Sequence, residues 1–277
     1  MNGFWQEVPV NSLPVVPGHP QPDIHGVLWH CSERHFELNV PGVARCSVAE
    51  GQAVQVARAC EAGEFDARCM VQGLPLAALV VQRGQIALHA AALATPRGAL
   101  VIAGNSMSGK SVLAAALSQR YPILADGVTP LEPSGASILS VKPCMADVAL
   151  WRDAAEHLGF DVSTLTPARA GLDRYYIPGL RTSAESQALR AIVLLSTHNG
   201  RDLLLQPLKG HRKLMVPLQF TFNLLLSQSL AMQQRTFELL SAVLARCGVA
   251  RVFKAVRPDS GWSIDQLVER IEGDILQ

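Results

Sequence analysis

Eight consecutive residues constrain the fold of this chain more than any others. Gly104-Asn105-Ser106-Met107-Ser108-Gly109-Lys110-Ser111 sets two glycines, a lysine and a serine at the spacing G-x-x-x-x-G-K-[ST]. Upstream, Ala99 to Ala103 is an apolar run of strand length. Downstream, Val112 to Gln119 is rich in Ala and Leu and predicts a helix. Strand, glycine-bounded loop and helix in that order surround one point with backbone N–H groups and the positive end of a helix, which suits an anion. At such a point Lys110 reaches the β- and γ-phosphates of a nucleotide, and the Ser111 hydroxyl enters the shell of Mg²⁺. ATP and Mg²⁺ are the ligands implied, with Gly104 through Ser111 as the nucleotide-binding set.

Composition narrows the class. Of 277 residues, 49% are hydrophobic and 17% charged, a globular balance with enough apolar surface for a large core. A formal net charge of +1 gives no field of one sign, so neither nucleic acid nor a membrane surface is expected as a partner. No window approaches the roughly 18–20 apolar residues of a membrane span. The start lacks the basic and apolar regions of a secretory signal, and a cytoplasmic location is expected. Cys31, Cys46, Cys60, Cys69, Cys144 and Cys247 contain no C-x-x-C pair and read as reduced, buried thiols. His30, Cys31, His35 and Cys46 lack the paired spacing of a zinc site.

Three parts are expected along the chain. Residues 1–25 are a proline-rich extended arm outside the core. Residues 26–86 are a small, mostly β lobe: alternating apolar residues predict strands near Val27–Cys31, Phe36–Val40, Val43–Val48 and Val54–Ala57. Leu74 to Gly84 then reads as a helix with Pro75 in its first turn and glycine at its end. Residues 87–277 carry the glycine-bounded loop. Gln85–Thr95 and Ala99–Ala103 are two strands joined by a turn at Pro96-Arg97-Gly98, so an antiparallel strand bearing His89 precedes the loop. Ile123–Ala125 is a short strand ending at Asp126, where a Mg²⁺-binding or general-base carboxylate is expected.

Beyond Asp126 the chemistry thins. Leu131 to Leu150 is β-like, Asp147 to Leu158 a short helix, and Phe160 to Gly179 irregular. That irregular stretch carries Arg169, Asp173, Arg174, Tyr175 and Tyr176 and is either a mobile substrate loop or a plain surface loop. Arg174 and Tyr175 are its candidate substrate-binding residues. Ala188–Ser196 is a buried strand, with Asp202–Gln206 returning beside it after a turn. Pro217 to Cys247 is helical, with a break near Gln228-Ser229. Val249–Val256 is a last strand, and Ser263-x-x-Gln266 opens a terminal helix as a capping box. The apolar region Leu214–Leu244 is either core or a subunit interface, which leaves a homo-oligomer open.

Leu88-His89-Ala90-Ala91, the loop GNSMSGKS and the segment Leu124-Ala125-Asp126-Gly127-Val128-Thr129-Pro130-Leu131 together resemble the kinase domain of HPr kinase/phosphorylase and its looser relatives. Among these are the HPr-kinase-like enzymes of lasso-peptide biosynthesis, which phosphorylate a serine of the precursor peptide. Weaker likeness runs through Ala191–Leu195 and Leu208-Lys209-Gly210. The resemblance implies a mixed α/β fold with a phosphoenolpyruvate-carboxykinase-like P-loop nucleotide-binding core beside the small β-rich lobe. It implies Asp126, Lys110 and His89 as catalytic residues, with Asp126 as base near the γ-phosphate, and Ser111 and Asp126 as metal ligands. Two positions depart from the family pattern L-A-D-D-V-T-P-L and its small loop residues. The second acid is Gly127 here, and the loop has Met107. The implied function is an ATP-dependent serine kinase acting on a peptide or small-protein hydroxyl, such as the C-terminal residue of a lasso-peptide precursor. The alternative, motivated by Gly127, is a degenerate nucleotide- or peptide-binding module without transfer.

Overall fold

Short runs of alternating apolar residues build the first sheet. The computed structural model describes residues 5–7, 28–32, 34–60, 62–134, 138–169, 171–198, 203–222, 226, 230–246, 251–258 and 264–276. Trp5–Glu7 forms β1. An antiparallel meander follows, of β2 (Leu28–Cys31), β3 (His35–Val40), β4 (Ala44–Ala49) and β5 (Val54–Arg58). Phe36, Leu38, Cys46, Val48, Val54 and Val56 recur at every second position and are buried, as a one-faced sheet requires. β1 pairs in parallel with β5 and extends the sheet by one strand. Part of the expected arm is therefore sheet. Its residues precede Pro9, so none of them lacks the N–H that a ladder needs. Residues 8–27 lie outside the described residues.

Two helices cover this sheet, α1 (Glu64–Val71) and α2 (Leu74–Gln82), and only the second was legible in the sequence. Ala67 and Val71 are the buried residues of α1, too few to imprint a period on its sequence. Its start is fixed instead by Asp66, whose carboxylate accepts from the Gly63 N–H at 3.1 Å. α2 is buried from Pro75 to Val81 because it lies between two sheets, which is why it is apolar all round.

The second sheet carries the loop. β6 (Ile86–Thr95) and β7 (Gly98–Gly104) form the expected antiparallel hairpin. α3 (Lys110–Leu117), β8 (Ile123–Ala125), β9 (Val128–Pro133) and β10 (Leu139–Val141) follow. Next come β11 (Ala149–Trp151), α4 (Arg152–His157), β12 (Arg174–Tyr176), β13 (Gln187–His198) and β14 (Leu204–Pro207). The last elements are α5 (Arg212–Leu218), α6 (Leu230–Arg246), β15 (Arg251–Pro258) and α7 (Ile264–Asp274). The strands lie in the order β10-β9-β6-β7-β13-β15-β14, with β8 beside β6. β10 also pairs with β13, so β6, β9, β10, β13 and β7 close a ring. On one face Ala91, Leu93, Leu100, Ile102 and Val193 pack with Leu113 and Leu117 of α3 and Leu267 and Ile271 of α7. On the other, Leu88, Val101, Ile192 and Leu194 pack with Leu218 and Leu240 of α5 and α6. Helices on both faces of a mixed sheet make this an α/β fold.

Several expectations are corrected here. β14 does not return beside β13. It pairs antiparallel with β15, while β13 has parallel neighbours in β7 and β15. The near-continuous apolar run of β13 fits a strand buried between parallel partners, whereas β14, with exposed Leu204 and Pro207, suits an edge. The helix expected from Asp147 starts at Arg152, because residues 149–151 are taken by β11. The stretch 160–179 is not irregular throughout: it holds a 3₁₀ turn at Val162–Thr164 and β12, which pairs antiparallel with β11. α5 runs from Arg212 to Leu218, ahead of the expected start at Pro217, and residues 219–222, expected to be helical, turn back to bridge β6 through Thr221 and Leu88. The break at Gln228-Ser229 and the cap at Ser263 lie outside the described residues.

Cys31, Cys46 and Cys144 are buried thiols, but Cys69 is half-buried, Cys60 is exposed, and Cys247 lies outside the described residues. Among the described residues no helix is long and apolar enough to cross a membrane, and no group of three His, Cys, Asp or Glu gathers to hold a metal.

Candidate active site

The loop from Gly104 to Ser111 is shaped by contacts that leave its backbone little choice. Gly104 ends β7 at φ +154°, and a Cβ there would lie 2.6 Å from the Leu195 carbonyl oxygen of β13 and 2.7 Å from Ser108 Oγ. Only glycine fits against β13 at that point. Gly109, at φ +91°, caps α3 in the left-handed region. Met107 takes φ +65° without being glycine and is 72% exposed, so its side chain points off the tip of the loop. A backbone turn needing positive φ at residue 107 accounts for a small residue being favoured there.

Lys110 opens α3 and is 8% exposed. Its Nζ donates to the carbonyl oxygens of Gly104 at 3.0 Å and Asn105 at 2.9 Å, which folds the side chain back over the loop. Burial lowers its pKa, while the Asp126 charge opposes that shift. Ser111, one residue on, donates from Oγ to both oxygens of Asp126, at 3.0 and 2.9 Å. Asp126 follows β8, which hydrogen-bonds β6, and its own N–H donates to the Met145 carbonyl at 3.0 Å. The residue is 4% exposed. Burial raises its pKa, and Ser111, Arg174 and Lys110 oppose the rise in that order.

A cleft of about 400 Å³ opens beside these residues. Ser106, Met107, Gly109, Lys110, Ser111 and Asp126 form one wall. His89 lies on β6 opposite Val128, with its ring 5.6 Å from that of Phe222, and also lines the cleft. Burial, and then the Lys110 charge, push its pKa down to about 4, so the imidazole is neutral at neutral pH. Asn105, Ser108 and Gly104 shape the loop from outside the cleft wall. Ser108 is 7% exposed, and its Oγ is buried without a hydrogen-bond partner among the described residues.

Of the two candidate substrate residues, Arg174 lines the cleft, held by donation from Nε to the Ala149 carbonyl at 3.1 Å. Tyr175 does not. Its hydroxyl donates to Asp173 at 2.8 Å and accepts from Arg152 at 2.7 Å, on the outside of the molecule. Successive residues of a strand face opposite ways, so it is Tyr176 that reaches the cleft. Its ring stacks 5.1 Å from Phe65 of α1, and burial pushes its pKa up.

The far wall comes from residues that carried no signal in the sequence. Cys69, Gln72 and Gly73, at the end of α1, reach into the cleft, with Asp147 and Trp151 beside them. Gln72 Nε2 donates to the main-chain oxygens of Asp126 at 3.0 Å and Asp147 at 2.9 Å. A Cβ on Gly127 would lie 3.2 Å from the Gln72 carbonyl, and Gly127 sits at φ +83°. Gly127 is thus where α1 packs on the Asp126 turn.

No protein-family model matches the chain, and no curated protein matches it. Among solved structures, that of the Hpr(Ser) kinase/phosphatase from Coxiella burnetii is similar over 68% of this chain and 88% of that chain, at 14% identity and a TM-score of 0.35.

Proposed function

We propose that the chain is an ATP-dependent phosphotransferase that moves a phosphoryl group to a serine hydroxyl of a peptide or small protein. The observation that carries this reading is the contact of Ser111 Oγ with the Asp126 carboxylate, one residue past a buried lysine folded over a glycine-bounded loop. The residues fit the implied ligands. Two hard oxygen donors, a hydroxyl and a carboxylate, suit Mg²⁺. The first N–H groups of α3 have no partner within the helix, and Gly109, Lys110 and Ser111 line the cleft, which suits phosphate.

Bound Mg²⁺ would neutralise phosphate charge, and Ser111 and Asp126 would hold it. Lys110 releases its two carbonyls and places its ammonium against the phosphates, adding fixed positive charge where negative charge spreads in transfer. Arg174, on the opposite wall, adds a second cation. His89 is neutral and presents an uncharged ring beside Lys110, so it does not repel the lysine that must stay protonated. Walls from α1 and β12 narrow the cleft around the loop.

Incubation with γ-labelled ATP, Mg²⁺ and peptides carrying a terminal or internal serine tests the reading. Label passes to peptide with the wild type and not with Lys110→Ala or Asp126→Asn, both still folded by circular dichroism. Gly127, which brings no carboxylate beside Asp126 and sits at φ +83°, favours one other reading, a module that binds nucleotide or peptide without transfer. Binding of ATP with no transfer or hydrolysis would select it.

A further inference from the structure

Asp126 is turned toward the phosphate-loop helix. Both its oxygens accept from Ser111, and 4% of the residue is exposed. A carboxylate so placed suits a cation and is poorly placed to meet a hydroxyl arriving through the open side of the cleft. Asp147 lines the same cleft with a side chain 29% exposed. Its Oδ2 accepts from Arg68 at 2.5 Å, and its Oδ1 has no partner among the described residues. Gln72 holds the main chain at Asp126 and at Asp147 with one amide nitrogen, which sets the spacing of the two acid-bearing segments. Asp147 also lines a second cavity, of about 770 Å³, whose wall includes Gln85, Lys142, Thr182 and Ser183. Among the described residues, Asp147 alone lines both cavities.

We propose that Asp147 is a second catalytic carboxylate: it takes the hydrogen bond of the acceptor hydroxyl, presented from the second cavity, while Asp126 and Ser111 hold the cation. The proposal rests on the phosphotransferase reading above. In the step it describes, the acceptor oxygen bonds to the γ-phosphorus as the bond from that phosphorus to the β–γ bridging oxygen breaks. ADP leaves with the electron pair, and the acceptor proton passes to Asp147 Oδ1 and then to water. With no peptide present, water at the same place is the acceptor. Arg68 and Gln72 are positioning residues: the first fixes the carboxylate, the second fixes the segment that bears it.

The experiment compares wild type, Asp147→Asn, Asp147→Glu, Arg68→Met and Arg68→Lys. A fluorescent ATP analogue reads binding in the presence of Mg²⁺. Hydrolysis of Mg²⁺-ATP and labelling of a degenerate serine-peptide library read transfer. Asp147→Asn lowers kcat for both acceptors by at least about 100-fold, the contribution of a positioned proton acceptor, with analogue Kd unchanged. Arg68→Met lowers kcat at unchanged KM for ATP, and Arg68→Lys restores part of it. Should Asp147→Asn fail to fold, Asp147→Glu keeps the Arg68 pair, and its displaced oxygen still lowers kcat by about tenfold or more. Turnover by Asp147→Asn within about threefold of wild type overturns the proposal and leaves the phosphotransferase reading standing. A wild type that binds the analogue but turns over neither acceptor overturns it too and selects the binding module. A wild type that does not bind the analogue fails earlier, at the reading on which the proposal rests.

Discussion

At Gly104 a side chain has nowhere to go, since its Cβ would meet the Leu195 carbonyl at 2.6 Å. Gly104→Ala therefore forces β7 away from β13, and overpacking of this kind costs about 1–3 kcal/mol. Three residues on, Met107 holds φ +65°, a conformation that costs a non-glycine residue about 1 kcal/mol. Met107→Gly removes that strain and, by loosening the unfolded chain, returns part of the gain. Urea denaturation of the two variants reads a clear loss for the first and a change of no more than about 1 kcal/mol for the second. His89 gives a third residue-scale expectation. Its folded pKa of about 4 lies below the 6.5 of a free imidazole, so the unfolded chain takes up the proton first as pH falls. The stability that the neutral ring contributes is whole above pH 6.5 and is lost as pH falls toward 4. The loss amounts to at most about 3 kcal/mol. Denaturation midpoints at several pH values across that window fall more steeply for wild type than for His89→Gln.

Among elements, α1 does most to separate what the sequence could say from what it could not. The strand, loop and helix around Lys110 are contiguous in the chain, so local pattern and glycine placement sufficed to read them. Asp126 was legible because it ends a strand that follows α3 closely. Gln72 touches Asp126 and Asp147 across 54 and 75 residues, and no local period records such contacts. Tyr175 and Tyr176 are neighbours on β12, and the three-residue strand leaves no period in the sequence to show that it is Tyr176 that faces the cleft. The placement of β14 is hidden for a related reason: its partners on β15, from Val256 for Leu204 to Phe253 for Pro207, lie about fifty residues further along the chain. The docking of α1 can be measured. Gln72→Leu removes two hydrogen bonds to main-chain oxygens and leaves both acceptors to find water. This lowers stability by about 1–3 kcal/mol in thermal unfolding. It also weakens transfer beyond what lost stability explains, since both acid-bearing segments are released.

For the whole molecule, the cleft joins parts that are far apart in the chain, with Gln72 and Tyr176 bringing α1 and β12 against the loop of the second sheet. A ligand seated there stabilises every part at once. Mg²⁺-ATP at about a hundredfold excess over its Kd raises unfolding free energy by about 2.7 kcal/mol, read as an upward shift of a single melting transition. Lys110→Ala removes that shift, and its unliganded melt falls as well, by about 1–3 kcal/mol, because the Gly104 and Asn105 carbonyls lose their donor. The ring of β6, β9, β10, β13 and β7 has a further effect on this behaviour. β7, from which the glycine-bounded loop hangs, has a hydrogen-bonded neighbour on each side within that ring. Its amides can meet solvent only when the ring itself opens, so in hydrogen–deuterium exchange they mark the global unfolding limit. Nucleotide can therefore come and go through rearrangement of Lys110 and the far wall, while the protection of the anchor strand rises with binding by the same ~2.7 kcal/mol, about a hundredfold.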